Sequence, residues 1–208
     1  MKRRYGFLDQ VLIAADEALR TLAGGRSAAR PSPAADLPEA ADPGEAARLM
    51  RVNHTGEVCA QALYSGQALF ARDERVREAL QTAAAEERDH LSWCRKRLEE
   101  LNSHASVLDP LWYAGSFGMG MVSGLAGDRW SLGFLAETEA QVERHLEGHL
   151  DRLAEGDERS RAVLEQMRQD ENRHGAMGRS LGGEELPLPV KMAMRMASKV
   201  MTRTAYWV

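Results

Sequence analysis

Four stretches of this chain step their apolar residues by three and four, and each of those helical seams is interrupted by a glutamate. The first stretch runs from about Glu45 to Arg72, the second from Asp73 or Glu74 to Leu101, the third from about Trp130 to Leu153 and the fourth from Asp157 to Leu181. In the second, the seam reads Leu80, Ala84, Glu87, Leu91, Cys94 and Leu98, with His90 three residues after the intruding acid. The third carries Leu132, Leu135, Glu139, Val142 and Leu146, and the fourth Leu164, Met167, Glu171, His174 and Gly178. On the first, Met50, Asn53, Glu57, Ala60 and Tyr64 put Glu57 among small and apolar neighbours. One inward carboxylate per helix, two of them followed by histidine one turn later, constrains the fold and its chemistry together.

Runs of alternating β-branched residues are absent, so the reading is all-α. A short turn at Gly156 and Asp157 makes the third and fourth helices antiparallel, and the first pair is joined as tightly. Between the second and third helices, residues 102–129 are long enough to travel the length of a bundle. One long crossover in a four-helix bundle is the ferritin-like connectivity. Residues 1–44 read as an N-terminal helix followed by a Pro/Gly/Ala-rich linker or wrapped loop, and residues 45–208 as the bundle with its crossover and a C-terminal helix from about 189.

Burying an unpaired carboxylate is costly, and four in one core require something positive to share the site. Glutamate oxygen and neutral imidazole suit divalent iron or manganese. The i, i+3 spacing stacks both side chains on one helical face. With 20 glutamates and six histidines, about 0.6 Glu-x-x-His pairs arise by chance, so either pair alone says little. Their placement on alternate helices, with single glutamates on the other two, points to a di-metal site. Its candidate ligands are Glu57, Glu87, His90, Glu139, Glu171 and His174. Asp170 is either an acceptor for a ligand histidine's second nitrogen or a solvated acid. His54 is either a neighbour of the site or an ordinary half-buried histidine. His145 and His149 lack the metalloprotease pattern, and Cys59 and Cys94 read as small core residues.

The balance of 27 basic and 31 acidic residues, net −4, argues against a nucleic-acid partner. Two cysteines outside any CxxC pair fit a reducing cytoplasmic compartment, and Asp9, Asp16 and Glu17 break up the N-terminal apolar run that a signal peptide would need. Pro110 to Gly127 is uncharged over 18 residues, but its five glycines weaken a spanning helix; an interfacial or packed segment is the expectation. The tail sets Lys191, Arg195, Lys199 and Arg203 at four-residue spacing beside methionines and ends in Tyr206 and Trp207, the pattern of a basic amphipathic helix at an anionic surface or of a helix packed on protein.

The blocks LMRVNHTGEVCAQALYSGQ, EERDHLSWC, ETEAQVERHLEGHL and DENRHG resemble the bacterial demethoxyubiquinol hydroxylases of ubiquinone biosynthesis, from about Leu49 to the C-terminus. The resemblance implies a di-iron monooxygenase with two iron ions per subunit, using dioxygen to hydroxylate the ring of a polyprenyl quinol. It implies the same six ligands that the seams select. It also implies a peripheral enzyme on the cytoplasmic face of the inner membrane and a lipid-binding accessory protein as the partner seen in some lineages; the sequence leaves the oligomeric state open, a homo-oligomer included. His145 stands where eukaryotic members have a histidine near the substrate, but the tyrosine that follows it there is Leu146 here. Two other readings compete: a ferritin-type ferroxidase or iron store, and a helical membrane-surface module without metal. The neutral crossover and basic tail favour the hydroxylase, since a soluble iron cage has no use for them.

Overall fold

A computed structural model of the chain describes residues 6–24, 28–37 and 44–208. The first five residues and two pieces of the Pro/Gly/Ala-rich segment, 25–27 and 38–43, lie outside the described residues. Seven helices and no strand occur among those described: α1 Phe7–Ala23, α2 Gly44–Phe70, α3 Glu74–Glu100, α4 Asp109–Ala126, α5 Asp128–Leu150, α6 Glu158–Ser180 and α7 Leu188–Trp207. The four seams of the sequence become α2, α3, α5 and α6. Asp73 and Asp157 start α3 and α6 by accepting hydrogen bonds from the backbone N–H of Arg75 and Ser160.

Cross-links between helices give the topology. Gln61 on α2 donates to the Ala84 carbonyl on α3, and Arg97 on α3 reaches Ser160 on α6 while His90 lies against Asp170, so both pairs are antiparallel. Gln67 meets the Ser131 carbonyl and Asn53 meets His149, which sets α5 antiparallel to α2 and parallel to α3. This is the bundle with one crossover that the long intervening segment predicts.

That crossover contains α4, which runs alongside α2 with glycine in the contact. A Cβ at Gly66 would meet the Phe117 carbonyl oxygen at 2.5 Å, and one at Gly120 would overlap the Leu63 carbonyl. Gly120 and Gly124, two of the five glycines that weaken a spanning reading, are therefore where two backbones touch. No described helix is long and apolar enough to cross a membrane. Gly120→Ala is expected to destabilise the fold by about 3 kcal/mol. Gly118→Ala, where an added Cβ meets nothing within 4 Å, should instead be neutral or mildly stabilising. Urea unfolding of the two variants checks the contrast, and equal midpoints would refute the close approach.

Two apolar clusters fill the bundle. One gathers Leu49, Met50, Trp93, Cys94, Leu146 and Leu164; the other gathers Tyr64, Leu80, Ala83, Leu132 and Leu135. On all four bundle helices the seam acid falls between them, so the acidic layer is enclosed from both ends. The N-terminal segment folds back over the outside of α3: the N–H groups of Ala28 and Ala29 donate to Ser92 Oγ and Asp89 Oδ1, and Arg159 donates to the Leu37 carbonyl.

The last helix, α7, docks by its C-terminal end. Ala205 is buried, Arg51 reaches the Tyr206 carbonyl, and the Tyr206 hydroxyl donates to Glu45 Oε2 at 2.5 Å. Tyr206 is thus fastened to α2, whereas Trp207 stays exposed beneath the Arg48 guanidinium.

Candidate metal centre

Helical periodicity carries the site. Glu57 on α2, Glu87 and His90 on α3, Glu139 on α5 and Glu171 and His174 on α6 all project into the layer between the two apolar clusters, and all are buried. Their ligand atoms form two groups, each within 4.8 Å of one another: Glu57, Glu87, His90 and Glu171, and Glu87, Glu139, Glu171 and His174. Glu87 and Glu171 belong to both.

Each histidine turns Nδ1 toward this layer. His90 Nδ1 lies 3.0 Å from Glu87 Oε2 and 3.3 Å from Glu171 Oε1; His174 Nδ1 lies 3.0 Å from Glu87 Oε1 and 3.3 Å from Glu171 Oε2. The opposite nitrogens face outer carboxylates. His90 Nε2 is 2.9 Å from Asp170 Oδ2, and His174 Nε2 is 3.1 Å from Glu86 Oε2. With Nε2–H donating outward, both Nδ1 lone pairs are left for the layer. Asp170 was open between two readings in sequence; the geometry makes it a histidine partner. Glu86 was not singled out, because beside Glu87 in an EER run it looks like a solvated acid.

The electrostatics describe a site short of positive charge. Burial pushes the Glu57 and Glu139 carboxyls well above the usual range, and the neighbouring carboxylates push them further. Burial acts on Glu87 in the same direction, but His90 and His174 outweigh it and hold that carboxyl below the usual range. Burial alone would depress both histidines, yet the surrounding carboxylates raise His90 well above its ordinary value and His174 to about 12. Without a metal ion the imidazolium protons supply the counter-charge; a bound cation would take over that role and free Nδ1. Glu57 Oε2 and Glu139 Oε1 still remain buried without a hydrogen bond. Orphaned carboxylate oxygens and inward Nδ1 atoms are a donor set for hard-to-borderline divalent cations, and iron fits it.

The other histidines lie outside these two groups. His54 is fully buried with Nδ1 3.1 Å from Asp109 Oδ2, and Thr55 donates to Asp109 Oδ1 at 2.7 Å, so this part of the NHTGE block holds the start of α4. Asn53 Oδ1 meets His149 Nδ1 at 2.9 Å, and the His145 ring lies tilted against His149 with centroids 3.9 Å apart. Burial lowers His145 to about 4 and His149 to about 2, with the Arg152 charge adding to both. The folded chain keeps both rings neutral, while the unfolded chain protonates them near pH 6.5. Their contribution to stability is therefore whole above that pH and falls as the pH drops below it. By pH 5 each has cost about 2 kcal/mol. His145→Gln should lose less stability between pH 7 and 5 than the parent, by about that amount. Parallel denaturation curves at the two pH values would contradict the assignment.

Comparison with known proteins agrees with this architecture. The family described as Ubiquinone biosynthesis protein COQ7 matches residues 44–205. A 3-demethoxyubiquinol 3-hydroxylase of Nitrosomonas europaea is 56% identical over 205 residues, covering 97% of this chain and 99% of the relative. The enzyme of that name from Nitrosospira multiformis shares 56% over 205 residues with the same coverage, and that from Ralstonia pickettii shares 56% over 214 residues, covering 96% and 99%. With an acidic helical bundle matched along its whole length, this chain belongs to the COQ7 family of ubiquinone biosynthesis proteins.

Proposed function

We propose that this chain is a 3-demethoxyubiquinol 3-hydroxylase, a dioxygen-dependent monooxygenase of ubiquinone biosynthesis that works with two iron ions. The observation that carries the reading is the pair of four-residue groups sharing Glu87 and Glu171, in a chain 56% identical to relatives of that name. Glu57, Glu87, His90 and Glu171 would hold one ion, and Glu87, Glu139, Glu171 and His174 the other. Four carboxylates balance two divalent ions, so the loaded layer is neutral in a low-dielectric core. Ferrous iron bound there would supply the two electrons that hydroxylation by dioxygen requires beyond those of the substrate, and an external reductant would restore them after each turnover.

The chain's own residues set the conditions. Asp170 and Glu86 hold the Nε2–H of His90 and His174 and keep Nδ1 free. The apolar clusters at either end exclude water. A cleft of about 1000 Å³ between α1, α2 and α3 opens from the surface, with Ile13, Ala68, Leu80 and Tyr64 on its walls. It reaches Ala84, one turn from Glu87, and its Tyr64 hydroxyl is buried without a partner, a donor for an oxygen of a quinol ring.

The isoprenoid tail of such a substrate lies in a bilayer, so we place the enzyme peripherally on the inner membrane. α4 exposes Leu111, Val122 and Leu125; α7 exposes Met192, Met196 and Val200 beside Arg195, Lys199 and Arg203. Anaerobic loading with ferrous iron, followed by oxygen and a short-chain demethoxyquinol, should give a ring-hydroxylated product. Oxygen uptake that yields only ferric iron would make the protein a ferroxidase instead.

A further inference from the structure

The geometry assigns a role to Arg30, in the N-terminal segment outside the family-matched region: it is a positioning residue for the metal-facing nitrogen of His90. The inference rests on the ligand set proposed above. Arg30 Nη1 donates to Asp170 Oδ2 at 2.8 Å, and that same oxygen accepts His90 Nε2–H at 2.9 Å. Arg30 Nε donates to Asp89 Oδ2 at 2.7 Å, so one guanidinium joins α3 and α6 beside the ligand. The guanidinium also lies 4.8 Å from the centre of the Trp93 ring, which packs against His90 at 5.4 Å, and Trp93 Nε1 donates to the Arg30 carbonyl. His90 is thus held at its edge by Asp170 and across its ring by Trp93, and Arg30 touches both.

Asp170 has no acceptor position to spare. Oδ1 takes Gln166 Nε2 at 3.0 Å and Arg173 Nη2, while Oδ2 takes His90 and Arg30. A carboxylate offers about four such positions. With all four used, Asp170 has one orientation, and His90 must present Nδ1 inward. The second histidine is treated differently. Its partner Glu86 is braced by Arg173, whose side chain is 56% exposed, and among the described residues none of the N-terminal segment takes part. The two metal positions are therefore held unequally, and the difference is Arg30.

The test is titration of the full-length metal-free protein with Fe(II) under anaerobic conditions, with Mn(II) followed by electron paramagnetic resonance as a second probe. Arg30→Ala should weaken one of the two ions by about 10- to 100-fold and leave the other near its parental affinity. Arg30→Lys, which keeps the charge but cannot span Asp89 and Asp170, should recover part of that loss. Ser92→Ala loosens the same segment by removing the bond to Ala28 and should leave both affinities unchanged. Parental binding of both ions by Arg30→Ala overturns the assignment, as does an equal loss at both positions, which would mean that Arg30 only fastens the segment. A parental protein that binds no pair of ions overturns the ligand reading itself, and the two failures are told apart by that control.

Discussion

Glu171→Ala is expected to lower quinol hydroxylation by ~10³-fold or more while the bundle still folds. Glu171 is one of only two residues that belong to both ligand groups, so its truncation takes a donor from each metal position. Glu57→Ala and Glu139→Ala each take a donor from one position and should leave one ion bound. The fold should survive because, without metal, Glu171 is itself one of the charges that push the Glu57 and Glu139 carboxyls up. Removing one of several crowded acids relieves repulsion but also takes a partner from His90 and His174, so the metal-free variant should unfold near the parental temperature. Iron content, turnover and thermal unfolding read the three claims separately. Parental turnover, or retention of both ions, would sink the ligand assignment.

The second large effect is expected at the outer side of α7. Arg195→Glu, Lys199→Glu and Arg203→Glu combined should weaken binding to anionic vesicles by at least about a hundredfold, since each basic residue near such a surface contributes about 1 kcal/mol. All three lie on the exposed side of the helix beside Met192, Met196 and Val200, and Lys191 is excluded because it pairs with Glu185 and Glu137. Reversing charge is a cleaner test than deleting the helix, because Ala205 and Tyr206 fasten its end to the bundle. Neutral phosphatidylcholine vesicles should show little change. Undiminished binding to anionic vesicles would move the lipid contact elsewhere, with the exposed side of α4 the next surface to alter.

What could be read before the structure follows from periodicity. An acid on a 3.6-residue seam stands out because its neighbours are apolar, and that alone located Glu57, Glu87, Glu139 and Glu171. Adjacent residues carry no such contrast. Glu86 faces a histidine from the next position on α3, and nothing in EER separates it from a solvated charge. Arg30 lies in a proline- and alanine-rich stretch with no period at all, so only the folded chain brings it to Asp170. α4 escaped for a different reason: glycine lowers helix propensity, and the gain from backbone contact with α2 is invisible until both helices are placed. Tyr206 matched an interfacial anchor in composition, but its hydroxyl found Glu45.

The contact between α2 and α4 has one more consequence. Where Gly66 and Gly120 let the two backbones touch, no side chain can yield between them, and Asp109 beside His54 and Thr55 fixes the other end. Any surface that meets the outer side of α4 is then held at a set height above Glu57, as by a rigid spacer. The spacing between the outer side of α4 and the acidic layer is thereby set by two glycines.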